Sequence, residues 1–229
     1  MEKINPWFHP KNLKKSEIKN RLKENNIDIN NDFGSYKIML KTGKIELSNI
    51  HNHNDLNPKK KILSIKKALK NIVNEKPNKI LNVGCGLGFE TKALTEVYGC
   101  NITGIDVSED GIEYAKKFNS NLKTTFIPMI IDKNFSLKET FEICYAIEFY
   151  PFSRSDNINF QKQIVLSLIN NLGKNGALVI YQLGMNRGSI EKNLKNIAKS
   201  LKLKSTIITD FHPKIFRILN NLKLTSFFC

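Results

Sequence analysis

The sequence predicts an α/β fold: a doubly wound, mostly parallel sheet preceded by an N-terminal extension. Three observations predict it. Short apolar runs of strand length alternate with amphipathic stretches of helical length. A glycine-rich turn, Gly84-Cys85-Gly86-Leu87-Gly88, joins one such run to the helix that follows it. An acidic residue, Asp106, closes the next apolar run about twenty residues further on. The chain accordingly divides into an extension over residues 1–57 and a nucleotide-binding domain over 58–229.

Composition bounds the function. At 229 residues and 41% hydrophobic content the chain suits one domain with a sizeable core. No apolar run is long enough to cross a bilayer, and Met1 to Pro6 lacks the apolar stretch of a signal peptide, so a cytoplasmic protein without a membrane span is expected. Cys85, Cys100, Cys144 and Cys229 form no C-x-x-C pair and no zinc spacing. They read as packed thiols, with no metal site. The net charge of +15 suits RNA, an anionic lipid face or a phosphorylated substrate. Yet Arg21, Arg154, Arg187 and Arg217 are the only arginines, although Arg is the residue of bidentate phosphate contacts. The lysines recur along helix faces, apart from Lys59-Lys60-Lys61. A solvated, lysine-rich surface of the kind an AT-rich genome encodes is therefore favoured over a nucleic-acid interface.

Within the extension, Trp7-Phe8-His9-Pro10 places the single tryptophan beside an aromatic and a histidine. Trp7 and His9 are candidate substrate-binding residues if this segment is a lid, and core residues if it only packs on the domain. Lys11 to Lys23, with Leu13, Ile18 and Leu22, reads as a short helix. Tyr36–Leu40 and Lys44–Leu47 read as a hairpin around Lys41-Thr42-Gly43. His51 and His53 lack a third ligand at any zinc spacing and read as loop residues. A helix carrying Ile62, Ile65, Leu69, Ile72 and Val73 on one side is expected to stop just before Pro77.

Ile80, Leu81 and Val83 form a strand buried on both faces. After the glycine turn, Phe89, Ala93 and Val97 mark one face of a helix that Gly99 ends. Asn101 to Ile105 is the second strand. Ser108 caps a second helix, with Ile112, Ala115 and Phe118 on its inner face. The glycine spacing is G-x-G-x-G, and Phe89 stands where a dinucleotide fingerprint has its third glycine. That disfavours a nicotinamide cofactor. Asp106 can accept hydrogen bonds from a ribose diol, so an adenosine-containing ligand is expected.

Val83-Gly84-Cys85-Gly86-Leu87-Gly88 and Gly104-Ile105-Asp106-Val107-Ser108 together resemble the motifs of the class I S-adenosylmethionine-dependent methyltransferases. The resemblance runs from about Ile80 to Gly184. It implies a Rossmann-like sheet of seven strands and S-adenosylmethionine as cofactor. Asn82, Gly84, Cys85, Gly86, Gly88, Asp106 and Val107 are then the residues that line it. One position departs from the family: Asn82 stands where an acid is usual, and it directs no charge towards the donor's amino group.

Thr124 to Ile131 reads as a third strand bent at Pro128 and ending in Asp132. By the resemblance, Asp132 hydrogen-bonds the adenine amino group. Phe141 to Ile147 is the fourth strand, and Glu148-Phe149-Tyr150-Pro151-Phe152 follows at its carboxyl end, where open α/β sheets bind ligands. Family members that methylate exocyclic nitrogens often carry an Asn/Asp/Ser-Pro-Pro-aromatic sequence here. Only a proline-aromatic step survives, which argues against nucleobase amino methylation. Glu148 is a candidate general base or substrate ligand and Tyr150 a candidate substrate wall, unless both only shape the strand end. A helix is expected over Phe160–Leu172, closed by Gly173, then a fifth strand over Gly176–Tyr181. Ile190, Leu194, Ile197 and Leu201 mark a further helix. Ser205–Thr209 and Leu224–Phe228 are expected as late antiparallel strands around Lys214–Leu222. His212, in the connection, is a candidate base by residue type.

The expected activity is O-methylation of a small anionic or carbohydrate metabolite, such as a bacterial surface-polysaccharide precursor. An RNA methyltransferase and a non-catalytic binding subunit on the same fold are the alternatives.

Overall fold

The computed structural model describes residues 57–153, 155–182, 187–209 and 214–219. The elements run α1 (Pro58–Ala68), β1 (Lys79–Val83), α2 (Phe89–Tyr98), β2 (Asn101–Asp106), α3 (Glu109–Phe118), β3 (Thr124–Pro128), β4 (Phe141–Ile147), α4 (Tyr150–Ser153), α5 (Ile158–Ile169), β5 (Leu172–Gln182), α6 (Arg187–Ser200), β6 (Lys204–Thr209) and β7 (Lys214–Leu219). The strands form one sheet in the order β3-β2-β1-β4-β5-β7-β6. β1 to β5 are mutually parallel, and β7 runs antiparallel to both of its neighbours. Strand order reverses between β1 and β4, where Val83 lies level with both Ile105 and Ala146. In sheets of this kind the ligand crevice lies outside the carboxyl ends at that switch point.

Side-chain alternation sends the two halves of each strand to separate cores. Leu81, Val83, Cys144, Ala146, Leu178 and Ile180 face α5 and α6, through Ile164, Leu168, Leu194 and Ile197. Ile80, Ile143, Tyr145, Val179 and Tyr181 face the opposite way, onto Ile62 and Ile65 of α1, its C-cap Leu69, and Leu94 of α2. Most of these side chains are at most 1% exposed, and each buried aliphatic side chain contributes roughly 1.5–3 kcal/mol. Coverage of both faces is why the strands read as continuous apolar runs. α2 ends on Gly99, whose amide bonds Thr95 O at 2.8 Å. Lys66 of α1 donates to Val97 O in its last turn at 3.0 Å, joining the two helices.

Five sequence-based expectations need correction. α1 ends at Ala68, well short of Pro77, and Asn71 turns the chain with φ +62°, a region Asn tolerates. β3 ends at Pro128, and Met129 N–H still donates to Asp106 O at 2.9 Å before the chain leaves the sheet, so Asp132 stands in a loop. α5 begins at Ile158, where the Asn157 side chain accepts from Phe160 N, and ends at Ile169. Leu172 and Gly173 belong to β5: Leu172 pairs with Phe141 and Ala177 with Ile143, so the residues between them bulge out of register. The closing strand is Lys214–Leu219, the stretch taken as a connection; Leu224–Phe228 lies outside the described residues. The expected helix, hairpin and histidines of residues 1–56 lie outside them too. Among the described residues, no helix is long and apolar enough to cross a membrane.

Candidate functional site

The loop after β1 is pinned to β2 before any ligand is considered. Gly84 N–H and Cys85 N–H both donate to Ile105 O, at 2.8 and 3.0 Å. Gly88 N–H closes the turn onto Cys85 O at 2.8 Å. Gly84 (φ +70°) and Gly88 (φ +81°) occupy the left-handed region that only glycine enters without strain. Both are also packed. A Cβ on Gly84 would stand 2.6 Å from Phe149 Cδ2, and one on Gly88 would stand 2.8 Å from both Ala115 Cβ and Phe126 Cζ. The glycines thus let Phe149, Ala115 of α3 and Phe126 of β3 close around the loop.

Asp106 caps the arrangement. Its Oδ2 accepts from Gly86 N–H and its Oδ1 from Ser108 N–H, both at 2.8 Å. Burial pushes this carboxyl above its ordinary value of 3.8, while the amides of Ser108, Gly86 and Val107 pull it back down. A carboxylate offers about four lone-pair sites. Two are committed here, leaving acceptor capacity for a vicinal diol, and the residue remains partly exposed. Val107, between the two, is half-buried. This donor and acceptor set fits the ribose of an adenosyl cofactor.

The side chains of Asn82 and Cys85 are buried beneath the loop. Asn82 is 1% exposed and donates from Nδ2 to Thr91 Oγ1 at 2.9 Å. Its register partner is Gly104, where a Cβ would meet Thr91 Oγ1 at 2.9 Å. The missing side chain at Gly104 is what admits Thr91. The Cys85 side chain packs with Ile112, Ala115 and Phe126. Burial first, then the Asp106 and Glu90 charges, push its thiol well up, against a hydrogen bond with Thr91. Burial likewise raises Cys100 to about 11, so these thiols stay protonated and unreactive.

The remaining described residues gather at the same edge of the sheet. Asp132 is 6% exposed; its Oδ1 accepts from Asn134 N at 2.7 Å. Its neighbour Ile131 shares a buried cluster with Val83 and Ile105. Glu148 directly follows β4 and has φ +50°, a strained conformation for a residue with a side chain. Its N–H donates to Tyr181 O at 2.9 Å, and its carbonyl accepts from Ser153 Oγ at 3.3 Å. Tyr150 begins the single-turn α4 and is half-buried. The structure therefore brings Gly84, Gly86, Asp106, Asp132, Glu148 and Tyr150 to one edge and turns the side chains of Asn82 and Cys85 inward. Trp7, His9 and His212 lie outside the described residues. No cluster of His, Cys, Asp and Glu suited to a metal occurs among the described residues.

Sequence reasoning missed Phe149, which covers Gly84, and Thr91, which anchors Asn82. Thr91 had a detectable signal, since it falls in the first turn of α2 on its inner side. Phe149 had none.

Residues 80–169 match the family described as a methyltransferase domain. A sterol 24-C-methyltransferase of Kluyveromyces lactis is 34% identical over 73 residues, which is 30% of this chain and 20% of that protein. The match thus spans about a fifth of the curated relative's length. Among solved structures, the plantazolicin methyltransferase BpumL in complex with SAH superposes with a TM-score of 0.58 at 16% identity, over 90% of this chain and 100% of that one. The N-methyltransferase NodS from Bradyrhizobium japonicum WM9, also with SAH, gives 0.58 at 15% identity, over 83% and 98%. These two likenesses show a shared fold.

Proposed function

We propose that this chain, whose residues 80–169 match a methyltransferase domain, is a class I S-adenosylmethionine-dependent methyltransferase and that it methylates an oxygen of a small anionic or carbohydrate metabolite. When bound, the cofactor supplies a sulfonium methyl group, transferred by in-line displacement. The chain's own work is to hold, orient and deprotonate. Asp106 accepts from the ribose hydroxyls, the loop from Gly84 to Gly88 lines the cofactor, and Asp132 takes the adenine edge. Glu148 accepts the proton of the acceptor hydroxyl at its carboxylate. Tyr150 walls the acceptor.

The observation that carries this reading is Glu148 itself. A carboxylate side chain stands on a left-handed residue at the carboxyl end of β4, next to the Phe149 ring that covers Gly84. Strain of this kind concentrates at functional positions, and a hydroxyl acceptor is the class that needs a base. A carbohydrate precursor of a bacterial surface polysaccharide, methylated in the cytoplasm, is the setting we favour.

The test is a thermal-shift titration with S-adenosylmethionine, S-adenosylhomocysteine and NAD, followed by labelled methyl transfer to acceptors. Ligand at a hundred times its dissociation constant stabilises by about 2.7 kcal/mol. A shift with both adenosyl ligands and none with NAD supports the reading. Absence of any shift rejects it.

A further inference from the structure

We propose that Gln182 determines acceptor specificity by holding two neighbouring hydroxyls of the substrate, one at each end of its amide. The inference rests on the methyl-transfer reading above and narrows its acceptor class to the carbohydrate side.

Gln182 is the last residue of β5 and is 6% exposed, yet among the described residues neither Nε2 nor Oε1 has a hydrogen-bond partner. Other buried side-chain amides of the described residues are engaged. Asn82 bonds Thr91, Asn119 bonds Leu87 O at 2.8 Å, Gln161 bonds Pro151 O at 3.0 Å, and Asn171 bonds Ser167 O at 2.7 Å. A buried amide idle at both ends costs stability. A fold that satisfies its structural amides retains such a group most simply where a ligand completes it.

The position agrees. Tyr181 pairs with Ile147, and Glu148 N–H donates to Tyr181 O at 2.9 Å. Gln182 therefore stands beside Glu148, one strand spacing of about 4.8 Å away. By alternation it shares the sheet face of Leu178 and Ile180, and α4 packs against the same strand.

The chemistry of the amide selects the ligand. Oε1 needs a donor and Nε2 needs an acceptor. A carboxylate or phosphate only accepts and leaves Oε1 unpaired, whereas an ammonium only donates and leaves Nε2 unpaired. Two adjacent hydroxyls satisfy both ends, since each can donate or accept. One of them, next to Glu148, is the hydroxyl to be methylated.

The experiment uses the full chain, its Gln182→Leu and Gln182→Glu variants, S-adenosylhomocysteine and four acceptor probes: methyl α-D-glucopyranoside, myo-inositol, benzamide and benzoate. Gln182→Leu should melt roughly 2–4 °C above the parent, because the idle amide is gone, with the same S-adenosylhomocysteine shift. Labelled methyl should enter a hydroxyl probe, and both variants should raise its KM by roughly tenfold or more with a smaller change in kcat. A lower melting temperature for Gln182→Leu would mean that the amide is structural, and overturns the proposal. So does label in benzamide or benzoate, or in none of the probes. No S-adenosylhomocysteine shift in the parent protein instead rejects the methyl-transfer reading beneath it.

Discussion

The Asp106 carboxylate and the Gly86 amide meet at 2.8 Å, so the acid that ends β2 also braces the turn that follows β1. Asp106→Ala removes this brace, the bond to Ser108 N–H and the proposed diol acceptor together. The variant should fold and lose at least roughly a hundredfold in S-adenosylhomocysteine affinity, since hydrogen bonds to a charged group contribute about 1.5–3 kcal/mol each. Calorimetric titration reads this directly.

Acid should weaken the same binding. Burial holds the Asp106 carboxyl above 3.8 in the folded chain, and protonation there removes acceptor capacity. Affinity should therefore fall as pH drops through that raised value, with the Asp106→Ala variant as the flat control. Stability runs the other way. The folded chain binds this proton more tightly than the unfolded chain, so the residue's contribution declines as pH rises from 3.8 through the folded value and is unopposed below 3.8. Titrations between about pH 4 and pH 8 separate the two effects.

If Glu148 is the base, Glu148→Gln keeps S-adenosylhomocysteine affinity and loses roughly 10²–10⁴-fold in turnover on a hydroxyl acceptor. Equal turnover in parent and variant would remove Glu148 from the chemistry.

At Gly84 a methyl group is expected to destabilise. The added Cβ would lie 2.6 Å from Phe149 Cδ2, on a residue at φ +70°. Overpacking costs about 1–3 kcal/mol, and the left-handed backbone adds roughly 1–2 kcal/mol. Urea unfolding of Gly84→Ala should show that loss, and adding Phe149→Leu should recover part of it by opening space.

The Tyr98 and Tyr145 hydroxyls meet at 2.6 Å. Burial pushes Tyr98 up to about 12 and Tyr145 well above 10, so the pair stays neutral below that range. Tyr145 is fully buried, whereas Tyr98 is only partly so. Tyr98→Phe strands the Tyr145 hydroxyl and should cost about 1–3 kcal/mol; Tyr145→Phe should cost less. The double variant should lose less than the sum of the two in urea unfolding.

Much of the site was legible because its parts are close in sequence. The turn from Val83 to Phe89, the second strand and Asp106 belong to one β-α-β unit, and their chemistry follows from glycine placement and spacing. The long-range relations were not legible. Phe149 covers Gly84 only because β4 pairs beside β1, and Gly173 enters β5 only because Leu172 finds Phe141. The closing strand was misplaced for a similar reason. Lys214–Leu219 is a strand because it pairs with both β5 and β6, and those partners lie far from it in the chain or depend on how the sheet closes.

The sequence by itself determined the fold class, the glycine-rich loop and the acid that braces it, because local periodicity and glycine geometry act within one unit of chain. The tertiary structure alone decided that Asn82 turns inward onto Thr91, that Glu148 adopts a left-handed backbone, and that Gln182 is buried with its amide unpartnered among the described residues. Those outcomes depend on which distant strands and helices close over each residue, and burial and strain are properties of that packing.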